Sequence, residues 1–229
     1  TKKKFAGRDH SLVASAMTSL SASYGNNKNY MKAINILKDA LDMYKNLGLE
    51  DSAAAIGYLN NLGVYYSNVG QYKLATNTYL DLLKRKSRTG LDAKRSYGLD
   101  YYNLSLAYIK QGLLSKAEPY IRKSLMSRLE LFQLEGPLMP RSKRPNFFRA
   151  FKGNPETHIY SLAHKSESAA LTALEYRLNR QGLLAEIEKR QSKLVVNDKS
   201  LSNILIKINK IINRLSDLTL DPNERFALV

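Results

Sequence analysis

Residues 60–75 read NNLGVYYSNVGQYKLA, and this stretch decides the fold because its small and aromatic residues recur elsewhere in the chain. Leu62 has counterparts in Leu20 and Leu104, at a constant step of 42 residues. Self-similarity at a fixed step is the signature of an internal repeat. The same step connects three further sets: Tyr24, Tyr66 and Tyr108; Ala33, Ala75 and Ala117; and Lys28, Gly70 and Gly112. The sequence therefore contains three repeats.

Each repeat has the pattern of a helical hairpin. Leu59, Leu62 and Tyr66 follow one another at three- and four-residue steps, which places them on one face of a helix. Gly70 is suited to end that helix, because glycine tolerates a positive φ. A second helix is predicted to follow, with Tyr72, Ala75, Tyr79 and Leu82 on one face. Gly63 and Ala75 then allow the two backbones to approach, so we interpret the stretch as packing and not as a chemical site.

The pattern resembles the tetratricopeptide repeat of the kinesin-light-chain type, in which the repeats are 42 residues long. Ala117-Glu118-Pro119 strengthens the likeness, and we expect Pro119 in the first turn of a helix. The resemblance covers residues 11–130 and implies an all-α, right-handed superhelix of three hairpins at about 11–47, 53–89 and 95–131. Such an array spreads its core over contacts between neighbouring repeats.

The composition of the 229-residue chain limits the possible functions. Cysteine is absent, which excludes a disulfide, a thiolate metal site and a cysteine nucleophile in this chain. No run approaches the roughly twenty apolar residues that span a bilayer, and TKKKFAGRDH at the start lacks the apolar core of a signal peptide. We therefore expect a cytoplasmic protein with no membrane contact.

The net charge of +16 raises the possibility of an acidic partner, but the excess is spread along the chain. Two clusters stand out, KRKSR at 84–88 and RSKRPNFFRAFK at 141–152. The second interleaves phenylalanine with basic residues and could bind single-stranded nucleic acid. We favour the alternative that its phenylalanines dock on the repeats, because no recognisable nucleic-acid module accompanies the cluster.

The repeat pattern ends near Leu131. Residues 132–165 are rich in proline and glycine and are predicted to be an irregular capping segment, with short helices near 146–152 and 156–164. A long helix is predicted over 166–193, capped by Ser166 or Ser168, with Gly182 tolerated or marking a bend. Its apolar stripe is Ala170, Leu171, Leu174 and Leu178.

A last helix is predicted over 199–217, after a turn at VVNDKS, and would complete an antiparallel hairpin over 166–220. Its apolar seam is Leu201, Ile204, Ile208, Ile211, Leu215 and Leu218. We favour an intramolecular hairpin over an intermolecular coiled coil and predict a monomer.

Residues 125–222 also resemble the helical segment that joins such repeats to a caspase-like CHAT protease domain in bacterial proteins. The likeness rests on six positions: Leu174, Glu175, Leu178, Arg180, Gly182 and Leu184. It implies a regulatory role toward a downstream protease domain. The catalytic histidine and cysteine of that family belong to the protease domain, so His158 and His164 cannot act as that dyad here. Their six-residue spacing also disfavours a shared metal.

We therefore predict a scaffold that is not an enzyme, with no catalytic residue, no metal and no cofactor. Its partner is predicted to be a protein or peptide held in the concave groove lined by the first helices. In similar repeats, an asparagine at the position of Asn61 and Asn103 bonds the ligand backbone. An alternative is that these amides bridge neighbouring helices. The predicted groove positions are Thr18, Ser19, Asn26, Asn60, Asn61, Asn68, Tyr102, Asn103 and Lys110.

Overall fold

A computed structural model of the chain describes residues 2–89, 94–148, 154–197 and 203. The elements it describes are helical, and the all-α fold expected from the sequence is confirmed. The chain divides into two compact units, Thr1–Arg177 and Leu178–Val229. The predicted helix 199–217 and its leucine and isoleucine seam lie outside the described residues.

Six helices of the first unit form three consecutive pairs. They are α1 (Lys2–Asn26) with α2 (Tyr30–Asn46), α3 (Ala53–Asn68) with α4 (Tyr72–Thr89), and α5 (Lys94–Lys110) with α6 (Leu114–Glu135). The helices of each pair contact each other, and α2 and α4 also contact the first helix of the next pair. This nearest-neighbour packing is what a repeat array requires.

The turns inside the three pairs have the same backbone structure. The amide N–H groups of Asn29, Gln71 and Leu113 donate to the carbonyls of Tyr24, Tyr66 and Tyr108 at 2.9, 2.9 and 3.0 Å. The residue before each donor has a left-handed backbone, with φ of 59° at Lys28, 79° at Gly70 and 75° at Gly112. The 42-residue step is therefore present in the backbone as well as in the side chains.

Small residues bring the paired helices together, as the sequence predicted. Ala33, Ala75 and Ala117 are all fully buried. A Cβ added to Gly63 would lie 2.6 Å from two ring atoms of Tyr79.

The position expected for Pro119, in the first turn of a helix, is wrong. Pro119 lies inside α6, beyond its first turn. The ring nitrogen there cannot donate to the carbonyl of Ser115, and both residues are exposed, so water can solvate that carbonyl.

Two short 3₁₀ turns, Gly136–Leu138 and Arg141–Lys143, follow α6, and α7 is the single turn Arg144–Phe147. The helix expected at 146–152 therefore begins earlier, and residues 149–153 lie outside the described part. α8 spans Pro155–Ala163, next to the 156–164 expected. The Oγ of Ser166 accepts the amide N–H of Ala169 at 3.3 Å and so caps the next helix.

That next helix, α9, spans Glu167–Asn197. It continues through Gly182 and through Val195 and Val196, where a turn was expected, so this part of the expected turn is wrong. The buried side chains of its first three turns are Ala169, Thr172, Ala173 and Tyr176.

The leucines of the predicted apolar stripe do not form the buried face of α9. Leu171 and Leu174 are 61% and 53% exposed. The buried face is instead formed by the two small alanines and by Tyr176. The Tyr176 ring meets Phe148 edge-on, and its hydroxyl donates to Glu156 at 2.7 Å.

Candidate peptide-binding face

The first helices α1, α3 and α5 present three rows of side chains at equivalent positions. We call these nine residues the first-helix face: Ser19, Asn61 and Asn103; Ala22, Val64 and Leu106; and Asn26, Asn68 and Lys110. All nine are exposed or half-buried. The three first helices thus expose side chains at the same repeat positions.

Asn61 and Asn103 differ from the other polar residues of this face. Both side chains are half-buried, and no hydrogen bond within residues 2–89, 94–148 and 154–197 involves either amide. The two amides therefore make no hydrogen bond that would bridge neighbouring helices in that part of the chain. A primary amide carries donors and an acceptor together, which matches the N–H and C=O of a peptide backbone.

Several other predicted positions already use their polar atoms locally. The hydroxyls of Thr18 and Ser19 donate to the carbonyls of Ala14 and Ser15 at 2.9 and 3.3 Å. The Nδ2 of Asn68 donates to the carbonyl of Val64 at 2.9 Å. These bonds satisfy the donors within one helix turn, so the side chains are weaker anchors for a ligand.

The row Thr18, Asn60 and Tyr102 immediately precedes the row Ser19, Asn61 and Asn103 in the sequence. Tyr102 is buried, because His158 of α8 meets its ring edge-on at 5.7 Å. The His158 Nδ1 lies 3.5 Å from the Tyr102 hydroxyl and 3.0 Å from the carbonyl of Asn154. Tyr102 is therefore a packing residue here, and His158 is too. The Oδ1 of Asn60 is buried and has no hydrogen-bond partner among the described residues.

The face is almost uncharged. Among the nine predicted groove positions, Lys110 alone carries a charge, and it is exposed. Asn26 is exposed at the equivalent position of α1. A neutral surface in a chain of net charge +16 suits a ligand recognised through its backbone and apolar side chains and not through paired carboxylates.

Two of the phenylalanines in the 141–152 cluster are not available to stack on a base. Phe147 and Phe148 are buried, and both pack on Phe132 at 5.0 and 4.9 Å between ring centroids. Arg144 is buried as well, and its Nε and Nη2 donate to the carbonyls of Gly136 and Met139 at 3.0 and 2.9 Å. Phe147 and Phe148 therefore dock on the last helix of the repeats, as expected, and the nucleic-acid alternative for the rest of the cluster stays a prediction. Phe151 lies outside the described residues.

One buried polar pair was not found from the sequence. Lys86 of α4 and Asp100 of α5 are both buried and form an ion pair. Burial raises the pKa of Asp100, and the hydrogen bond and charge of Lys86 oppose that rise. The Lys86 ammonium also lies 5.2 Å from the centre of the Tyr97 ring. The pair joins the second repeat to the third.

The repeat register holds a signal for this pair. Tyr44 and Tyr58 occupy the equivalent positions between α2 and α3, where their rings meet edge-on at 5.3 Å. Lys86 and Asp100 replace these two tyrosines one repeat later. Because their charges are opposite and the equivalent tyrosines are in contact, the sequence indicates that they form a pair. Arg128 continues the register of Lys86 and is buried, and burial lowers its pKa.

Two kinds of feature are absent from the described part of the chain. None of its helices is long and apolar enough to cross a bilayer. No group of three or more histidine, cysteine, aspartate or glutamate side chains there is arranged to hold a metal ion.

Comparison with known proteins supports the repeat assignment. Two tetratricopeptide-repeat family models match residues 13–47 and residues 101–129. Tetratricopeptide repeat protein 19 homolog, mitochondrial, of Drosophila melanogaster is 33% identical over 89 residues. That match covers 39% of this chain and only 24% of the length of the relative. The relative is named as a mitochondrial protein. The cytoplasmic location of this chain stays a prediction.

Two solved structures of kinesin light chain TPR-like repeats from Podosopora anserina, one of them a Q17M variant, are also similar. Their sequence identities are 15% and 16% and both TM-scores are 0.45, with 81% of this chain and 97% of each structure covered. The predicted connection to a CHAT protease domain is not tested by these comparisons and stays a prediction. Repeats of this kind generally mediate protein–protein interactions and are typically non-catalytic scaffolds. Residues 13–47 and 101–129 of the chain therefore match the tetratricopeptide repeat.

Proposed function

We propose that this chain is a non-catalytic scaffold that holds an extended segment of a partner protein on the first-helix face. The observation that carries the proposal is the pair of half-buried amides at Asn61 and Asn103, one repeat apart and without a hydrogen bond in the described part of the chain. An extended peptide has unpaired N–H and C=O groups, and it gains by pairing them when it leaves water.

The neighbouring row supports the same kind of ligand. Val64 and Leu106 are half-buried beside the two asparagines and offer an apolar surface to the ligand side chains. In this arrangement the amides fix the course of the peptide, and the apolar row selects among sequences. Lys110, at the end of the face, favours a carboxylate at the corresponding end of the ligand.

The test uses the purified chain to capture a partner and then measures the affinity by calorimetry for three proteins. These are the unmodified chain, the double variant Asn61→Ala and Asn103→Ala, and Asn77→Ala as a control. Asn77 is an exposed asparagine of the second helix α4, so the control makes the same chemical change away from the face.

Each amide can make two hydrogen bonds, each with a net value of about 0.5–1.5 kcal/mol. We therefore expect the double variant to bind at least about tenfold more weakly, while Asn77→Ala binds like the unmodified chain. Equal affinities for all three proteins, with unchanged circular dichroism, would show that the partner binds elsewhere.

A further inference from the structure

Helix α1 carries an apolar surface that lies beside the first-helix face, since Leu12 of this surface is seven residues before Ser19. We call it the α1 stripe: Leu12, Val13, Ala16 and Leu20. Leu12 is 65% exposed, Val13 and Leu20 are each 50% exposed, and Ala16 is exposed too. Leu12, Ala16 and Leu20 follow one another at four-residue steps and therefore lie along one side of the helix. Ala14 and Ser21, on another side, are buried against the array.

In the second and third repeats, a neighbouring helix covers the positions equivalent to Leu20 and Val13. Leu62 and Leu104, the counterparts of Leu20, are 6% and 0% exposed, and Ala55, the counterpart of Val13, is 0% exposed. Leu62 and Ala55 pack with Ile34 and Leu37 of α2. Leu104 packs with Ala75 and Tyr79 of α4. In the second and third repeats, the preceding second helix thus buries the surface that α1 exposes.

The stripe lies in an uncharged part of a strongly charged chain. Residues 11–27 contain no lysine, arginine, aspartate or glutamate, although the net charge of the chain is +16. Two copies of such a chain repel each other, and the repulsion is weakest where a contact buries no charge. No charged side chain of this stretch has to lose its water when the stripe is covered.

The order of side chains makes the stripe complementary to itself. In an antiparallel pair of α1 helices that crosses at Ala16, Leu12 of each copy lies opposite Leu20 of the other. The small side chain of Ala16 then sits at the crossing and allows close approach of the backbones. We propose that the α1 stripe is a two-fold interface through which a second copy of this chain binds. A contact in which both copies use one patch is the commonest kind in homodimers.

The size of the stripe sets the strength of this contact. Four side chains bury less surface than a standard protein interface, so the dimer belongs with the small, transient class and has a dissociation constant above about 1 µM. The dimer differs from the monomer predicted from the sequence. It leaves Asn61 and Asn103 free, so it does not depend on the proposed peptide binding.

The first test is sedimentation over a range of concentrations. The unmodified chain should shift from monomer toward dimer as its concentration rises. Leu20→Lys should remain monomeric, because it places a charge on the stripe of both copies. Leu134→Lys, which changes an exposed leucine of α6, should behave like the unmodified chain. A monomer at every concentration, or equal dimerisation of the two variants, would overturn the proposal.

The second test uses the absence of cysteine from the chain. A cysteine at Ala16 would lie at the two-fold axis, within the roughly 7 Å Cα separation that a disulfide requires. A cysteine at Ser23, also exposed and on the same side of α1, would lie about 20 Å from its copy in the antiparallel pair. Under mild oxidation Ala16→Cys should form a covalent dimer and Ser23→Cys should not. Equally fast dimerisation of Ser23→Cys would overturn the antiparallel arrangement.

Discussion

The substitution Gly63→Ala tests the close approach of α3 and α4 directly. The added Cβ would lie 2.6 Å from Cε1 and Cζ of Tyr79 and 3.0 Å from its Cδ1, well inside ordinary contact distance. The ring cannot simply swing away, because Tyr79 is almost fully buried among Ala75, Leu104 and Ala107. Overpacking of this kind typically costs about 1–3 kcal/mol. The gain in helix propensity from glycine to alanine is about 1 kcal/mol and opposes that cost.

Gly57→Ala is the matched control, because Gly57 lies in the same helix and an added Cβ there meets no atom within 4 Å. Gly57→Ala should therefore stabilise the protein by about 1 kcal/mol. The difference between the two variants isolates the packing cost of about 1–3 kcal/mol, since the propensity gain is common to both. At about 2–4 °C per kcal/mol for a chain of this size, thermal unfolding followed by circular dichroism resolves it. Equal melting temperatures for the two variants would refute the packing described here.

Three further substitutions test the repeat register and the buried ion pair. Lys28→Gly should raise the free energy of unfolding by about 1 kcal/mol, because Lys28 has a left-handed φ of 59° where the other repeats have glycine; urea unfolding measures this, and a lower stability would contradict it. Lys86→Met and Asp100→Leu should each cost about 3–5 kcal/mol, because each leaves a buried charge without its partner. The double variant should recover most of that loss in the same assay, as the Tyr44 and Tyr58 pair shows that the positions accept uncharged side chains; additive losses would contradict the pairing.

The sequence was enough to predict the helical pairs, because the 42-residue step repeats turn residues and packing residues together. Gly70 and Gly112 end their helices with a positive φ, and Ala75 is buried against its partner helix. Such contacts are local, between residues of one repeat or its neighbour, and a periodic pattern specifies them.

The features that the sequence did not reveal depend on contacts between elements without a common register. Tyr102 belongs to the groove by its position, but α8, which lies outside the three repeats, buries it under His158. In α9 the leucines form the more hydrophobic stripe, yet the alanines and Tyr176 form the buried face, because close packing needs small side chains there. The Lys86 and Asp100 pair connects two helices, and neither charge alone indicates that it is buried.

The most direct test of peptide binding on the first-helix face is site-specific photocrosslinking in living cells. A photoreactive amino acid is placed at Asn61, at Asn103 or at Asn77, and the covalent products are identified by mass spectrometry. Peptide binding on this face predicts that the first two positions crosslink to the same extended segment of one partner protein and that Asn77 does not. Crosslinks to that partner from Asn77, with none from Asn61 or Asn103, would contradict it.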